Sequence, residues 1–195
     1  KQEAVDAAVA DFTAAGYDAA GLAADVTNEA QVKAVIEAAA ARFNSVIDIL
    51  VNVAGVAGQN PIEQITEKEW DFIFAVNCKG TFFFIKHAVP FMKAQKRGKI
   101  VNFSSQSGKM GSALLSHYSA AKGAIITFTQ ALANEFAKEN INVNCVCPGI
   151  TDHTGVWTFM SSNYIENRKQ ERSDVVKRFT AKIPLGRLAN IEDVV

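Results

Sequence analysis

Apolar positions recur at helical spacing in four stretches of the chain, and strand-like runs fill the gaps between them. Val5, Val9 and Phe12 stand four and three apart, the spacing of one helical face, and Gly16 stops the pattern as a C′ glycine does. Residues 17–25, relatively rich in alanine, read as a short strand. Val32, Ile36, Ala39 and Phe43 form the stripe of a second helix, entered through Thr27 and Asn28 with Glu29 in its first turn. Residues 46–53 (VIDILVNV) are nearly continuous in apolar side chains, which predicts a strand buried on both faces of a parallel sheet. A long helix is predicted over residues 66–96. There Thr66 with Glu69 has the pattern of a capping box, and Trp70, Phe74, Thr81, Ile85, Ala88 and Met92 follow one face.

Residues 99–103 read as the next strand, and a Ser/Gly-rich loop runs from there to about residue 117. Residues 118–138 are helical, with Ala121, Ile125, Phe128, Leu132 and Phe136 on one stripe. Residues 141–147 form a further strand, which Pro148-Gly149 ends. Residues 151–183 are polar and weakly patterned, predicting a loop with one or two short helices, and Asn190 ahead of Glu192 and Asp193 reads as a helix start. Strands separated by helices of this length imply right-handed βαβ crossovers and an open α/β sheet covered on both faces. Both ends cut through a predicted element, so the 195 residues are expected to be one domain of a longer chain.

Composition narrows the function classes without naming one. With 49% hydrophobic and 21% charged residues the chain can bury a full core, which excludes a disordered or disulfide-stapled protein. Twenty Lys and Arg cancel 20 Asp and Glu, so no global field draws nucleic acid or anionic lipid. No uninterrupted apolar run approaches the ~18 residues of a membrane span, and no signal-peptide pattern opens the chain. Cys78, Cys145 and Cys147 are too few for a disulfide framework and point to a reducing cytoplasm. His87, His117 and His153 share no metal-ligand spacing, and Cys145 with Cys147 reads as small apolar filling of a strand; no metal is expected.

In an open α/β sheet, ligands bind beyond the carboxyl ends of the strands. The residues found there are Asp25-Val26, Asn52-Val53-Ala54-Gly55, Ser104-Ser105 and Pro148-Gly149, with Tyr118 and Lys122 at the start of the helix after the third strand. Tyr118 and Lys122 are four apart, hence about 40° apart in azimuth and about 6 Å apart along a helix axis. A nearby ammonium favours the phenolate and would lower the Tyr118 pKa towards the working range of a general acid or base. By itself such a pair is more often a partly exposed tyrosine beside a solvated lysine.

The constellation around the pair decides between them. Ile100-Val-Asn-Phe-Ser-Ser105, Tyr118-Ser-Ala-Ala-Lys122-Gly-Ala, Val76-Asn77-Cys-Lys-Gly80, Asn52-Val-Ala-Gly55, Asp25-Val26 and Pro148-Gly149 together resemble the short-chain dehydrogenase/reductase family, in its order and over the whole chain. The resemblance implies a Rossmann-like, three-layer, doubly wound parallel sheet. The family's first strand with its glycine turn, and its last strand, are absent from the 195 residues. It implies an oxidoreductase using NAD or NADP, with Tyr118 as general acid/base, Lys122 holding the phenolate equilibrium and the nicotinamide ribose, Ser105 on the substrate oxygen and Asn77 holding a water behind Lys122.

Asp25 and Val26 would meet the adenine, and Asn52, Ala54 and Gly55 would pass beneath the adenosine ribose. Pro148, Gly149, Ile150 and Thr151 would line the nicotinamide, with Thr154 the other candidate for its carboxamide. Ser105, Gln106, Tyr118, His153 and Trp157 would face the substrate, under a lid of residues 151–183 that includes Tyr164, Arg168 and Arg172. Without the glycine turn that grips the pyrophosphate, the 195 residues alone are expected to bind dinucleotide poorly. Val53 replaces a common second Asn of the family, and His153 stands where the family usually has Thr.

The lid and Trp157 resemble polyol, sugar and acetoin-type members, so the expected substrate is a small alcohol or carbonyl compound. A 3-oxoacyl thioester reductase and a non-catalytic dinucleotide-responsive regulator are the alternatives. Phe82, Phe83 and Phe84 surround the long helix with aromatics, and a helix apolar all round wants a partner on more than one face. In the family this helix and the one bearing Tyr118 pair with a second subunit, so a homo-oligomer, dimer or tetramer, is expected, with neither nucleic acid nor membrane as partner.

Overall fold

Three parallel strands lie side by side in the order β1 (Ile49–Asn52), β2 (Gly98–Phe103) and β3 (Ile141–Val146). The computed structural model describes residues 1–162, 165 and 169–195; Tyr164 and Arg168 of the expected lid lie outside the described residues. The register sets Leu50 opposite Ile100 and Ile100 opposite Val143, so one buried row crosses the sheet. Ahead of β1 come α1 (Gln2–Ala14) and α2 (Glu29–Arg42). Between β1 and β2 run α3 (Glu67–Phe74), a π turn (Ala75–Lys79) and α4 (Gly80–Ala94). Between β2 and β3 run α5 (Gln106–Met110) and α6 (Ser116–Phe136), and after β3 come α7 (Gly155–Ser162) and α8 (Arg172–Thr180).

The parallel α/β architecture is the one the alternating pattern implies. Ile36 of α2, Leu50 of β1, Met92 of α4, Ile100 of β2, Phe136 of α6 and Val143 of β3 form one core. Each such side chain contributes about 1.5–3 kcal/mol on burial. A second apolar cluster joins Ile73, Leu115, Tyr118 and Ala121, and a third holds Trp157, Val175 and Leu188 after β3.

Several expectations need correction. Residues 17–25 form no strand: a ladder needs a partner, and β1 pairs only with β2 among the described residues. The strand expected over residues 46–53 is four residues long, and it is buried on one face only, with Ile49, Val51 and Val53 exposed. The helix expected over residues 66–96 is interrupted by the π turn at Asn77. The Ser/Gly-rich loop contains the short α5, and the helix start at Asn190 is a 3-10 turn with a reciprocal Asn190–Asp193 capping box. At Thr66 half a box forms: its side chain accepts from Glu69 N at 3.2 Å, while the Glu69 carboxylate goes to Asn60 and His117.

Gly16 does end α1, at φ +89°. By length and composition the helical stretch Glu67–Ala94 is apolar enough to cross a bilayer, yet Ile73, Phe83, Ile85, Ala88 and Met92 point into the core. Its apolar character serves packing.

Candidate active site

Tyr118 and Lys122 lie one turn apart near the start of α6, and both are buried. The carboxyl end of β2 reaches them through three consecutive residues. Lys122 Nζ donates to Phe103 O at 2.9 Å, and Ser104 Oγ donates to Lys122 O at 2.6 Å. Ser105, the N-cap of α5, accepts from Ser107 N at 3.1 Å, and its hydroxyl hydrogen-bonds the Tyr118 phenol. The Lys122 ammonium stands 5.9 Å from the Tyr118 ring centroid. Phenol, hydroxyl and ammonium therefore converge, as the spacing of the sequence motifs implied. Ser104, placed at the strand end by the sequence but given no role there, ties β2 to the backbone of α6; nothing local distinguishes its hydroxyl from that of Ser105.

Asn77 owes its position to the π turn. Such a turn shifts the backbone bonding from i−4 to i−5 and is common at functional sites. Here the Asn77 side chain donates to Ile73 O, four residues back, and to Val56 O, both at 2.9 Å. Its Oδ1 is buried without a hydrogen-bond partner. A Cβ on Gly55 would sit 2.8 Å from Asn77 Oδ1 and 3.2 Å from Lys122 Nζ, so this close approach demands glycine. An ammonium with three donors and an orphaned acceptor thus flank one stretch of backbone. That donor set fits hydroxyl groups of a sugar-bearing cofactor and a bridging water.

Burial dominates the protonation of the pair. It pushes the Tyr118 phenol up, with the Ser105 hydrogen bond opposing, and it pulls the Lys122 ammonium down. The sequence-based expectation was a phenol lowered by its lysine. In the structure burial sets the direction, and it is the Ser105 hydrogen bond, not the lysine, that opposes it.

The remaining candidates separate into groups. Val26, Asn52 and Ala54 line a cavity of about 250 Å³ together with Gly80 and Thr81, and Gly55 follows directly. The Asn52 amide is engaged inside the sheet, donating to Asn102 Oδ1 at 2.9 Å. The Asp25 carboxylate folds back onto Thr27 N and Oγ1, at 2.8 and 2.7 Å, which holds it below the usual carboxylate range. Gln106 N donates to Pro148 O at 2.9 Å, and its Oε1 would lie 3.6 Å from a Cβ on Gly149, so the β2 and β3 loops meet there.

Thr151 bridges to Ala189, whereas the Thr154 hydroxyl donates to Thr151 O and accepts from Trp157 N at the start of α7. Ile150 packs against the cluster of Trp157, Val175 and Leu188. His153 is exposed at φ +58°, and Trp157 is buried edge-on against Phe179, so neither side chain stands with Tyr118. Met160 of α7 does pack against the cluster that contains Tyr118.

Comparison with known proteins gives this geometry its lineage. The chain is 36% identical to galactitol 2-dehydrogenase of Agrobacterium fabrum (strain C58) over 193 residues, covering 97% of this chain and 75% of that protein. An actinorhodin polyketide ketoreductase solved with NADPH superposes with a TM-score of 0.93 at 29% identity, over 100% of this chain and 74% of its own. An NAD+-bound xylitol dehydrogenase superposes at 0.91 with 27% identity, over 100% of this chain and 76% of its own. The family model described as short chain dehydrogenase matches residues 1–164, a span that takes in both the Asn77 turn and the Tyr118–Lys122 helix. The chain therefore belongs to the short-chain dehydrogenase/reductase family.

Proposed function

We propose that this protein interconverts a secondary alcohol and a ketone with NAD or NADP, and that its substrate is a polyol, a sugar or a small hydroxyketone. The observation that carries the reading is the convergence of Ser105, Tyr118 and Lys122 in one buried cluster, with the unpartnered Asn77 Oδ1 beside the ammonium. In reduction the Tyr118 phenol gives its proton to the carbonyl oxygen, and in oxidation the phenolate takes the alcohol proton. The Ser105 hydroxyl holds that oxygen. Lys122 donates towards ribose hydroxyls, and Asn77 Oδ1 accepts from a water that returns protons to the pair.

The dinucleotide, when bound, supplies or accepts the hydride; the chain supplies position and electrostatics. Asp25, Val26, Asn52, Ala54 and Gly55 hold its adenosine half, and Pro148, Gly149, Ile150 and Thr151 line the nicotinamide. We assign the carboxamide to Thr151, whose hydroxyl is held by a long 3.4 Å bond to Gly149 O, whereas that of Thr154 both donates to Thr151 O and accepts from Trp157 N. Gln106 belongs to the substrate side, and Trp157 acts from within the lid, by shaping its packing. The protein is placed in the cytoplasm, which would keep its three free cysteines reduced, and it works as a homo-oligomer.

The likeness to galactitol and xylitol dehydrogenases supports a polyhydroxylated substrate. The test is turnover of the full-length protein on polyols, acetoin and a 3-oxoacyl thioester, followed by nicotinamide absorbance. Activity on the first two is expected, abolished by Tyr118→Phe with cofactor affinity largely retained. Exclusive activity on the thioester would transfer the assignment to acyl reduction, and full activity in Tyr118→Phe would remove the acid/base role.

A further inference from the structure

We infer that Asn60, Glu69 and His117 form a positioning device that sets the rotation of α6 and so the aim of Tyr118; this rests on the oxidoreductase reading above. His117 directly precedes Tyr118, and its ring is fully buried. His117 Nε2 lies 3.1 Å from Glu69 Oε1, and since a carboxylate only accepts, the ring nitrogen is the donor. Asn60 Nδ2 donates to both Glu69 oxygens, at 3.0 and 2.8 Å, and Asn60 N donates to Leu114 O at 2.9 Å. The loop after β1, the first turn of α3 and the approach to α6 are therefore tied in one network.

Three features show that this network acts on the helix. First, the N-cap of α6 is Leu115, which offers no side-chain cap, after Leu114 in the left-handed region at φ +66°. Its start is held from outside. Second, the backbone at Gly58 passes directly over the pair: a Cβ there would lie 2.3 Å from His117 Nε2 and 2.7 Å from Glu69 Oε1. Third, Glu69, Ile73 and Asn77 stand four residues apart in turn. Glu69 meets His117, Ile73 packs against Tyr118, and Asn77 faces the Lys122 ammonium.

Successive helical residues differ by about 100° in azimuth, so anchoring the His117 ring fixes the direction in which Tyr118 leaves the helix. Burial alone does not account for the histidine. Its Nδ1 has no partner, and an apolar side chain at this place would leave no unsatisfied nitrogen.

The test uses full-length His117→Ala, His117→Gln and Glu69→Ala, with Tyr118→Phe as reference. Two quantities are read: kcat and KM for the alcohol, and the tyrosinate absorbance of Tyr118 against pH, taken as the difference from Tyr118→Phe. A misplacement of about 1 Å can cost ~100-fold in rate, so His117→Ala is expected to lower kcat ~10-fold or more while KM moves less than ~2-fold. The Tyr118 titration should fall towards that of an ordinary phenol as the ring loosens from its buried place. His117→Gln, which retains an N–H near Glu69, should restore most of kcat, and Glu69→Ala should fall between.

Unchanged kcat and titration in His117→Ala, or glutamine no better than alanine, overturns the proposal. If His117→Ala does not fold, an unaltered kcat and titration in Glu69→Ala overturns it. Absence of turnover in the unmutated protein defeats the oxidoreductase reading instead, and the titration still decides the positioning.

Discussion

In the acid/base role proposed for it, Tyr118 is a phenol in ketone reduction and a phenolate in alcohol oxidation, and burial favours the phenol. Alcohol oxidation is therefore expected to accelerate as pH rises through the alkaline range, while ketone reduction holds until the phenol ionises. The Ser105 hydrogen bond is the one contact that draws the Tyr118 pKa down. Ser105→Ala should thus move the alkaline limb of the oxidation profile to higher pH, besides lowering kcat by about 100-fold through loss of a donor at the reacting oxygen. Profiles of kcat against pH in both directions check this, and an unmoved limb would contradict it. The Tyr118–Lys122 spacing was legible in the sequence because it is a local helical relation. The direction of the shift was not, since desolvation comes in part from Val56, Ile73 and Met160, which are far along the chain.

Elements are locked together by buried polar side chains. Asn52 of β1 donates to Asn102 of β2, and Asn102 donates to Thr129 of α6 at 3.0 Å. All three are buried, so truncating the middle member strands polar groups on both sides. Asn102→Ala is expected to cost about 2–3 kcal/mol, read as a lower midpoint in urea unfolding. A loss below about 0.5 kcal/mol would mean that the network is incidental. The motif Val76-Asn77-Cys-Lys-Gly80 was readable as a sequence signature, but the π turn it occupies was not. An apolar stripe of helical period looks the same whether one backbone bond shifts or none does.

For the whole molecule, the long helix keeps large aromatics in water: Phe72 is 54% exposed and Phe82 42%. Exposed aromatic side chains on a helix whose other side forms the core suit a second copy of the chain. Light scattering on the full-length protein is expected to give the mass of a dimer or tetramer, and Phe82→Glu should shift it towards the monomer. A monomeric mass for the unmutated protein would count against the assembly.

Periodicity, capping residues and motif order are properties of neighbours in sequence, so the chain by itself determined the α/β class, most of the helices and the candidate set Asn77, Ser105, Tyr118 and Lys122. Contacts between distant segments decided the rest. Residues 17–25 stay outside the sheet because a strand exists only with a partner, Glu69 leaves its capping role for His117, and Trp157 packs against Phe179 and Leu188 rather than with Tyr118. Each outcome depends on which atoms meet across 20 or more positions, where the spacing of residues along the chain carries no information.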